Sequence, residues 1–275
     1  MIHVVTDSCA DLPDNLLQKY NIRVVPLSIR VNGREFSEGV DITPQEFYRE
    51  MAISAELPKT SQPSPKQFAK IFEELSGAGK VLCFTISSKL SGSFGSANLG
   101  KKISGNPNVT VFDTFAASIG QGLQVLRAAE LIQEGLPLNT VLSVLNRMRD
   151  EMKFLILLDT LENIVKGGRL SRFQGSLAKL LNIKVILHNV QGRPEILEKM
   201  RGRNKTLERL IGLVGERYGG GSNSIIGITH VNNLEDAEVL AEEIKELYQP
   251  REVIINEMGA TISTYAGQSG LIVAF

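Results

Sequence analysis

Short β-branched runs alternate with amphipathic stretches from the first residues of this chain, and that alternation restricts the fold more than any other feature. IHVV (2–5) and IRVVPLSI (22–29) bracket PDNLLQKY, whose apolar spacing predicts a helix. Thr43-Pro44-Gln45-Glu46 reads as a helix start, with a hydroxyl cap, proline in the first turn and Glu placed for a capping box. Ser64-Pro65-Lys66-Gln67 repeats that logic before FAKIFEEL. VLCFTI (81–86), a helix from near Phe94, VTVF (109–112) and a long helix through LQVLRAAELI follow. This βαβα order predicts a mostly parallel sheet covered by helices.

The texture changes near Lys153. KFLILLDT leads into a helical stretch, and then two apolar runs meet at Gln191-Gly192, a hairpin signal. KTLERLIGLVGERYGG reads as an amphipathic helix ended by glycines. SIIGITHV, EDAEVLAEEIKELY, EVIIN and GLIVAF complete a second α/β unit with antiparallel pairing. The expected architecture is α/β with two intimately packed domains, residues 1–152 and 153–275. At 275 residues, with 43% hydrophobic and 22% charged, either unit can bury a core.

Composition removes several classes of function. Thirty Lys+Arg balance thirty Asp+Glu, so no global field gathers nucleic acid or an anionic membrane. Two cysteines, Cys9 and Cys83, are too few for a disulfide framework, and His3, His188 and His230 lie far apart, so no metal site is expected. The N-terminus has no signal-peptide pattern, and FLILL is far shorter than the ~20 residues of a membrane helix. The expectation is a cytoplasmic protein with reduced thiols and no stable membrane insertion. GSANLGKK (95–102) lacks the hydroxyl of a P-loop, and no GxSxG or HExxH occurs. No cofactor is expected.

What remains distinctive is where hydroxyl residues fall. Predicted strands end in Thr6-Asp7-Ser8, Ser87-Ser88 and Asp113-Thr114, and carboxyl ends of strands face the ligand crevice of open α/β sheets. KTSQP (59–63) and SSKLSGS (87–93) fold naturally over that edge, the second passing from strand to helix, where N–H groups and hydroxyls together hold an anion. Taken singly, each cluster also reads as a cap or turn. Thr43 and Ser64 read as caps, Asp7 and Asp113 as loop ties, Cys9 and Cys83 as packing residues, and Lys89 and Arg34 as solvated surface. Composition and spacing reach a small anionic ligand and stop there.

The clusters in their order resemble the DegV family of bacterial fatty-acid-binding proteins. The likeness spans the whole chain: Thr6-Asp7-Ser8-x-x-Asp11-Leu12-Pro13; PKTSQPSP (58–65); ISSKLSGSFGSA (86–97); Phe112-Asp113-Thr114 with Ser118-x-Gly120-x-Gly122; and LENIVKGGRL (161–170). The resemblance implies a non-catalytic two-domain carrier for one long-chain fatty acid. It implies that hydroxyls of Thr60 and Ser91, with Ser61 and Ser93 close by, hold the carboxylate, while the second domain encloses the acyl tail. It further implies a partner kinase that phosphorylates the bound carboxylate for phospholipid synthesis, Arg169 in docking that kinase, and Arg201 near the head group. Tyr265 stands where the family pattern places His, and a phenol donates a hydrogen bond but carries no positive charge near neutrality.

Energetically the role is coherent. Burying roughly fourteen methylenes at ~0.8 kcal/mol each gives about 11 kcal/mol before ordering costs, so the tail supplies affinity and the head group orientation. Neutral hydroxyl donors satisfy the carboxylate without blunting it as a buried arginine would. Phe154, Ile156 and Leu158, with Leu177, Leu180, Leu181 and Ile186, are the expected lining. Two competing readings are an enzyme, a hydrolase or phosphotransferase using Ser91 or Ser8 as nucleophile, and a lipid-sensing regulatory protein.

Overall fold

A computed structural model of the chain describes residues 1–170, 183–218 and 224–275. Leu177, Leu180 and Leu181 lie outside the described residues. In chain order the elements are β1 (Ile2–Asp7), α1 (Asp14–Lys19), β2 (Arg23–Val25), β3 (Ser28–Val31), β4 (Arg34–Ser37), α2 (Pro44–Ala52), β5 (Lys59–Ser61) and α3 (Pro65–Glu74). Then come β6 (Lys80–Thr85), α4 (Ser93–Ser104), β7 (Val109–Asp113), α5 (Ile119–Gln133), α6 (Leu138–Glu151), β8 (Phe154–Leu158) and α7 (Glu162–Lys166). The last are β9 (Ile183–Val190), β10 (Arg193–Arg201), α8 (Arg203–Arg217), β11 (Ile225–His230), α9 (Leu234–Tyr248), β12 (Glu252–Glu257), α10 (Ala260–Ala266) and β13 (Leu271–Ala274).

The first half carries the expected parallel sheet, in the order β2-β1-β6-β7. Both expected capping boxes are present, Thr43 with Glu46 and Ser64 with Gln67. IRVVPLSI, however, is not one strand. Pro26 offers no N–H to a ladder, so the chain leaves the parallel sheet at Val25 and restarts at Ser28 in a separate antiparallel sheet, β4-β3-β5. Its hairpin turns on Asn32-Gly33, both at positive φ (49° and 76°), as a two-residue turn requires. This small sheet fixes the TSQP segment, because Thr60 pairs with Ile29 and Ser61 with Ser28.

The second half is a six-stranded sheet, β10-β9-β8-β13-β11-β12, antiparallel except between β11 and β12. The hairpin forms at Gln191-Gly192 as expected. Strand parity assigns each face. Phe154, Ile156, Leu158, Val185 and Leu187 join the core shared with the first half, while Leu155, Leu157 and Ile186 pack with α8 and α9 residues such as Leu210 and Ile244. Ile186 is therefore a core residue of the far face, not a lining residue: it sits opposite Leu157 in the ladder, and its side chain shares that residue's side of the sheet.

Helix α5 lies between the two larger sheets and is buried on nearly every side, which explains its weak amphipathic pattern. Such close contact needs glycine. A Cβ at Gly122 would lie 2.5 Å from the Ala10 carbonyl, and one at Gly227 on β11 would lie 2.2 Å from Ile119. The chain passes from α6 to β8 between residues 151 and 154, with the parallel and three-stranded sheets before that point and the six-stranded sheet after it. One hydrophobic cluster nevertheless runs through both halves, from Val4 to Ala274.

Candidate functional site

A cavity of about 320 Å³ opens between the halves. Its apolar wall includes Phe154, Ile156 and Leu158 from β8, as expected, joined by Leu27, Ile86, Leu90, Ile164, Pro194, Ile262 and Ile272. Its polar wall is Thr60, Ser61, Gln62, Ser91, Arg169, Thr261 and Tyr265. The TSQP and SGS segments thus meet on one cavity. Gly92 leaves room for the Gln62 amide, which lies 1.8 Å from where a Cβ would stand.

Thr60 Oγ1 and Tyr265 OH share a hydrogen bond of 2.6 Å, joining the small sheet of the first half to α10 of the second. Either oxygen can be its donor, which leaves one proton of the pair for a third acceptor. Ser91 Oγ lies 2.9 Å from Ser93 Oγ and accepts from the Ser93 N–H at 3.3 Å. Ser93 is fully buried at the first position of α4 and is absent from the cavity lining, so it orients Ser91 from behind. Ser91 therefore lies at a helix N-terminus, where a negative charge is favoured. Of the expected head-group residues, Thr60, Ser61, Ser91 and Tyr265 are brought together.

Arg201 is not. It is the exposed last residue of β10, whose cavity-lining residue is Pro194 at the other end, seven residues or about 23 Å along the strand. The engaged arginine of that segment is Arg203, which binds Asp159 and Asp236, each at 2.7 Å, and donates to the Ser269 carbonyl.

Arg169, expected to dock a partner, also reaches the cavity. The glycine pair before it closes α7, with Gly168 at φ +73° and the Arg169 N–H bonded to the Ile164 carbonyl. That turn folds the side chain back over the cavity. Its guanidinium lies 4.7 Å from the centre of the Tyr265 ring and donates to the Leu90 and Gly167 carbonyls. The mouth is therefore not lined by uncharged groups alone. Gly167 in turn lets the ring approach bare backbone, because a Cβ there would fall 2.4 Å from Tyr265 Cε1.

Sequence reasoning missed what seats α10. Glu38, buried, accepts from the Thr261 N–H (2.6 Å), the Thr261 hydroxyl (2.7 Å) and the Ser8 hydroxyl (2.5 Å). Asp11 accepts from the Gly259 N–H (2.9 Å) and from Ser118 (2.5 Å), which also meets Thr229 at 2.8 Å. Asp7 accepts from the N–H groups of Ile86 and Cys9 and from Gln121, tying the opening motif to neighbouring loops as expected. Asp113 likewise accepts from Ser88 and Phe115. Burial raises all three of Asp7, Asp11 and Glu38 above the usual carboxylate range, Asp7 to about 6. For Asp11 the available signal was the TDSxxD spacing, which places Asp11 on the seam and Ser8 on Glu38 while Asp7 ties first-half loops; Glu38 itself gave no sequence signal. The Ser8 oxygen is engaged by Glu38 and by the Leu27 N–H. Among the described residues, no cluster of His, Cys, Asp or Glu is arranged to hold a metal ion, and no helix is long and apolar enough to cross a membrane.

Together the fold and this cavity define an α/β protein with a largely apolar cavity, rimmed by hydroxyls, at the seam of its two halves. The family model described as uncharacterised protein, DegV family, matches residues 1–275, and the chain belongs to that family. It is 30% identical over 275 residues to the DegV domain-containing protein TTE1491 of Caldanaerobacter subterraneus subsp. tengcongensis, covering 100% of this chain and 98% of that one. The structure is similar to a DegV family protein from Thermus thermophilus described for fatty acid binding, with TM-score 0.92, 35% identity and coverage of 100% and 99%. It is also similar to the Streptococcus pneumoniae Fatty Acid Kinase (Fak) B3 protein loaded with linoleic acid, with TM-score 0.86, 28% identity and coverage of 100% and 99%.

Proposed function

We propose that this protein binds one long-chain fatty acid, with the tail against the apolar wall of the seam cavity and the carboxylate at Thr60, Ser91 and Tyr265, flanked by Ser61. The observation that carries this reading is the 2.6 Å Thr60–Tyr265 pair beside Ser91 on the polar wall of a mostly apolar cavity. Apolar burial supplies affinity without orientation, and a few convergent donors supply orientation without needing much affinity. Arg169 adds a positive charge at the same wall, and two of its five N–H groups are already committed to carbonyls. The likeness to fatty-acid-binding members of the family supports the ligand class.

The finer reading is that residues 1–152 carry the TSQP and SGS head-group loops, that residues 153–275 supply most of the wall around the tail along with Tyr265 and Arg169, and that the protein presents the carboxylate to a kinase without itself being the catalyst. The likeness to a fatty acid kinase B protein supports presentation, with Arg169 where a docked partner and the carboxylate would both meet it. Ser91 is hydrogen-bonded to another serine and not to a base, which favours holding over nucleophilic attack. Denaturing mass spectrometry of the purified protein tests the binding step, with a long-chain acid released from the native chain and much less from the Thr60→Ala, Ser91→Ala double variant. A native chain that stays empty after exposure to lipid refutes it. Acyl-phosphate formation that requires both this chain and an added fatty-acid kinase tests presentation.

A further inference from the structure

A second cleft, of about 660 Å³, shares no lining residue with the fatty-acid cavity. It lies between α5, α6 and the starts of β8, β11 and β12. Five cations line it, Arg127, Arg147, Lys153, Arg217 and Arg251, against two carboxylates, Glu130 and Glu151. In a chain with no net charge that excess is local. Glu130 is fully engaged, one oxygen on Arg127 at 3.2 Å and the other on Arg251 at 2.7 Å. Arg147 and Lys153 make no ion pair among the described residues, and Arg217 lies 3.5 Å from His188 Nδ1 with Glu198 and Glu216, which do not line the cleft, in electrostatic range.

We propose that this cleft binds a phosphate ester with an apolar body, its phosphate on Arg147, Lys153 and Arg217. Two cations with no ion pair, Arg147 and Lys153, together with Arg217 on the same cleft, match a multiply charged anion better than a single carboxylate. Arginine predominates, and its planar fork suits phosphate oxygens in a bidentate geometry. The floor beneath the cations is apolar, from Met148, Met152, Ile225 and Phe275, so the ligand carries more than its phosphate. A concave space of this volume falls within the range of small-ligand sites and is unlike a flat electrostatic patch.

Calorimetry on the full chain, with ADP, dihexanoyl phosphatidate and inorganic pyrophosphate as probes, tests this. One ester should bind saturably at one per chain, at least about tenfold tighter than pyrophosphate, with an affinity that falls as salt rises. Binding of ADP assigns a soluble aromatic ester, and binding of the phosphatidate assigns a lipid-derived one. Arg147→Gln with Lys153→Gln should weaken the ester about tenfold or more, since charge-assisted hydrogen bonds are lost. Lys101→Gln with Lys102→Gln, a matched change at the end of α4, should leave it unaltered. Fatty-acid retention should be the same in both variants, which separates this site from the seam cavity. No saturable binding, pyrophosphate as tight as the esters, or equal loss in the Lys101/Lys102 control overturns the assignment.

Discussion

Replacing Tyr265 by Phe keeps the ring under Arg169 and removes only the oxygen that meets Thr60 at 2.6 Å. A net intramolecular hydrogen bond is worth about 0.5–1.5 kcal/mol, so the unliganded protein should lose about 1 kcal/mol and a few degrees of Tm. The effect on ligand depends on how the two hydroxyls act. If one donates to the other and the second to the carboxylate, they form a relay, and removing either end weakens both bonds. Tyr265→Phe should then weaken fatty-acid affinity about two- to tenfold. Thr60→Val should do at least as much, and the double variant should be little worse than Thr60→Val alone. Titration with a fluorescent fatty acid, read as a double-mutant cycle, measures this coupling. Strictly additive losses would show that the two oxygens contact the head group independently, and the relay would be wrong.

Gly167→Ala places a methyl 2.4 Å from the Tyr265 ring, so overpacking of about 1–3 kcal/mol should displace the ring and cost fatty-acid affinity while far-UV circular dichroism stays native. Strand parity predicts that Ile186→Ala costs about 2–5 kcal/mol in urea unfolding and leaves ligand affinity alone, whereas Ile156→Ala changes both. For Asp7, burial lifts the folded-state value from 3.8 to about 6. Its contribution to stability is therefore whole below pH 3.8 and declines as pH rises to about 6, by on the order of 3 kcal/mol. Urea unfolding at pH 4.5 and pH 7 should show a decline in the native chain that is smaller in Asp7→Asn by about 2 kcal/mol, the share of the Asp7 loss in that window, with Asp11 and Glu38 supplying the rest; equal declines would mean the Asp7 carboxyl titrates normally.

The alternation of strand and helix, both capping boxes, the hairpin at Gln191-Gly192 and the C-terminal α/β unit were legible because each is a local signal within a dozen residues. Pro26 and Asn32-Gly33 were equally local and were passed over, so the three-stranded sheet that carries Thr60 was not foreseen. Thr60, Ser61, Ser91 and Tyr265 reached the cavity through family resemblance, since residues two hundred apart are joined by a topology that periodicity does not encode. Arg201's distance from the cavity and Arg169's reach into it were hidden for the same reason. A long flexible charge gives no sequence signal for its direction, and one exposed strand end and one glycine turn decided the two cases.

That the site straddles the seam has a physical consequence for how it forms. Thr60 is held by β3 of the first half, while Tyr265 sits one helical turn beyond Thr261, which Glu38 of the first half grips by both its N–H and its hydroxyl. The head-group pair can therefore assemble only when α10 is docked on the first half. Two buried carboxyls, Glu38 and Asp11, make that docking costly to imitate with a misplaced α10, since each would lose donors while remaining out of water. Glu38→Gln tests the link. An amide retains one acceptor but presents N–H groups to a donor-filled pocket, so α10 should loosen and fatty-acid affinity should fall, although residue 38 does not line the cavity. Hydrogen exchange at residues 259–267 that quickens in step with the loss of affinity supports positioning through α10. Unchanged exchange with lowered affinity would require another route from Glu38 to the head group.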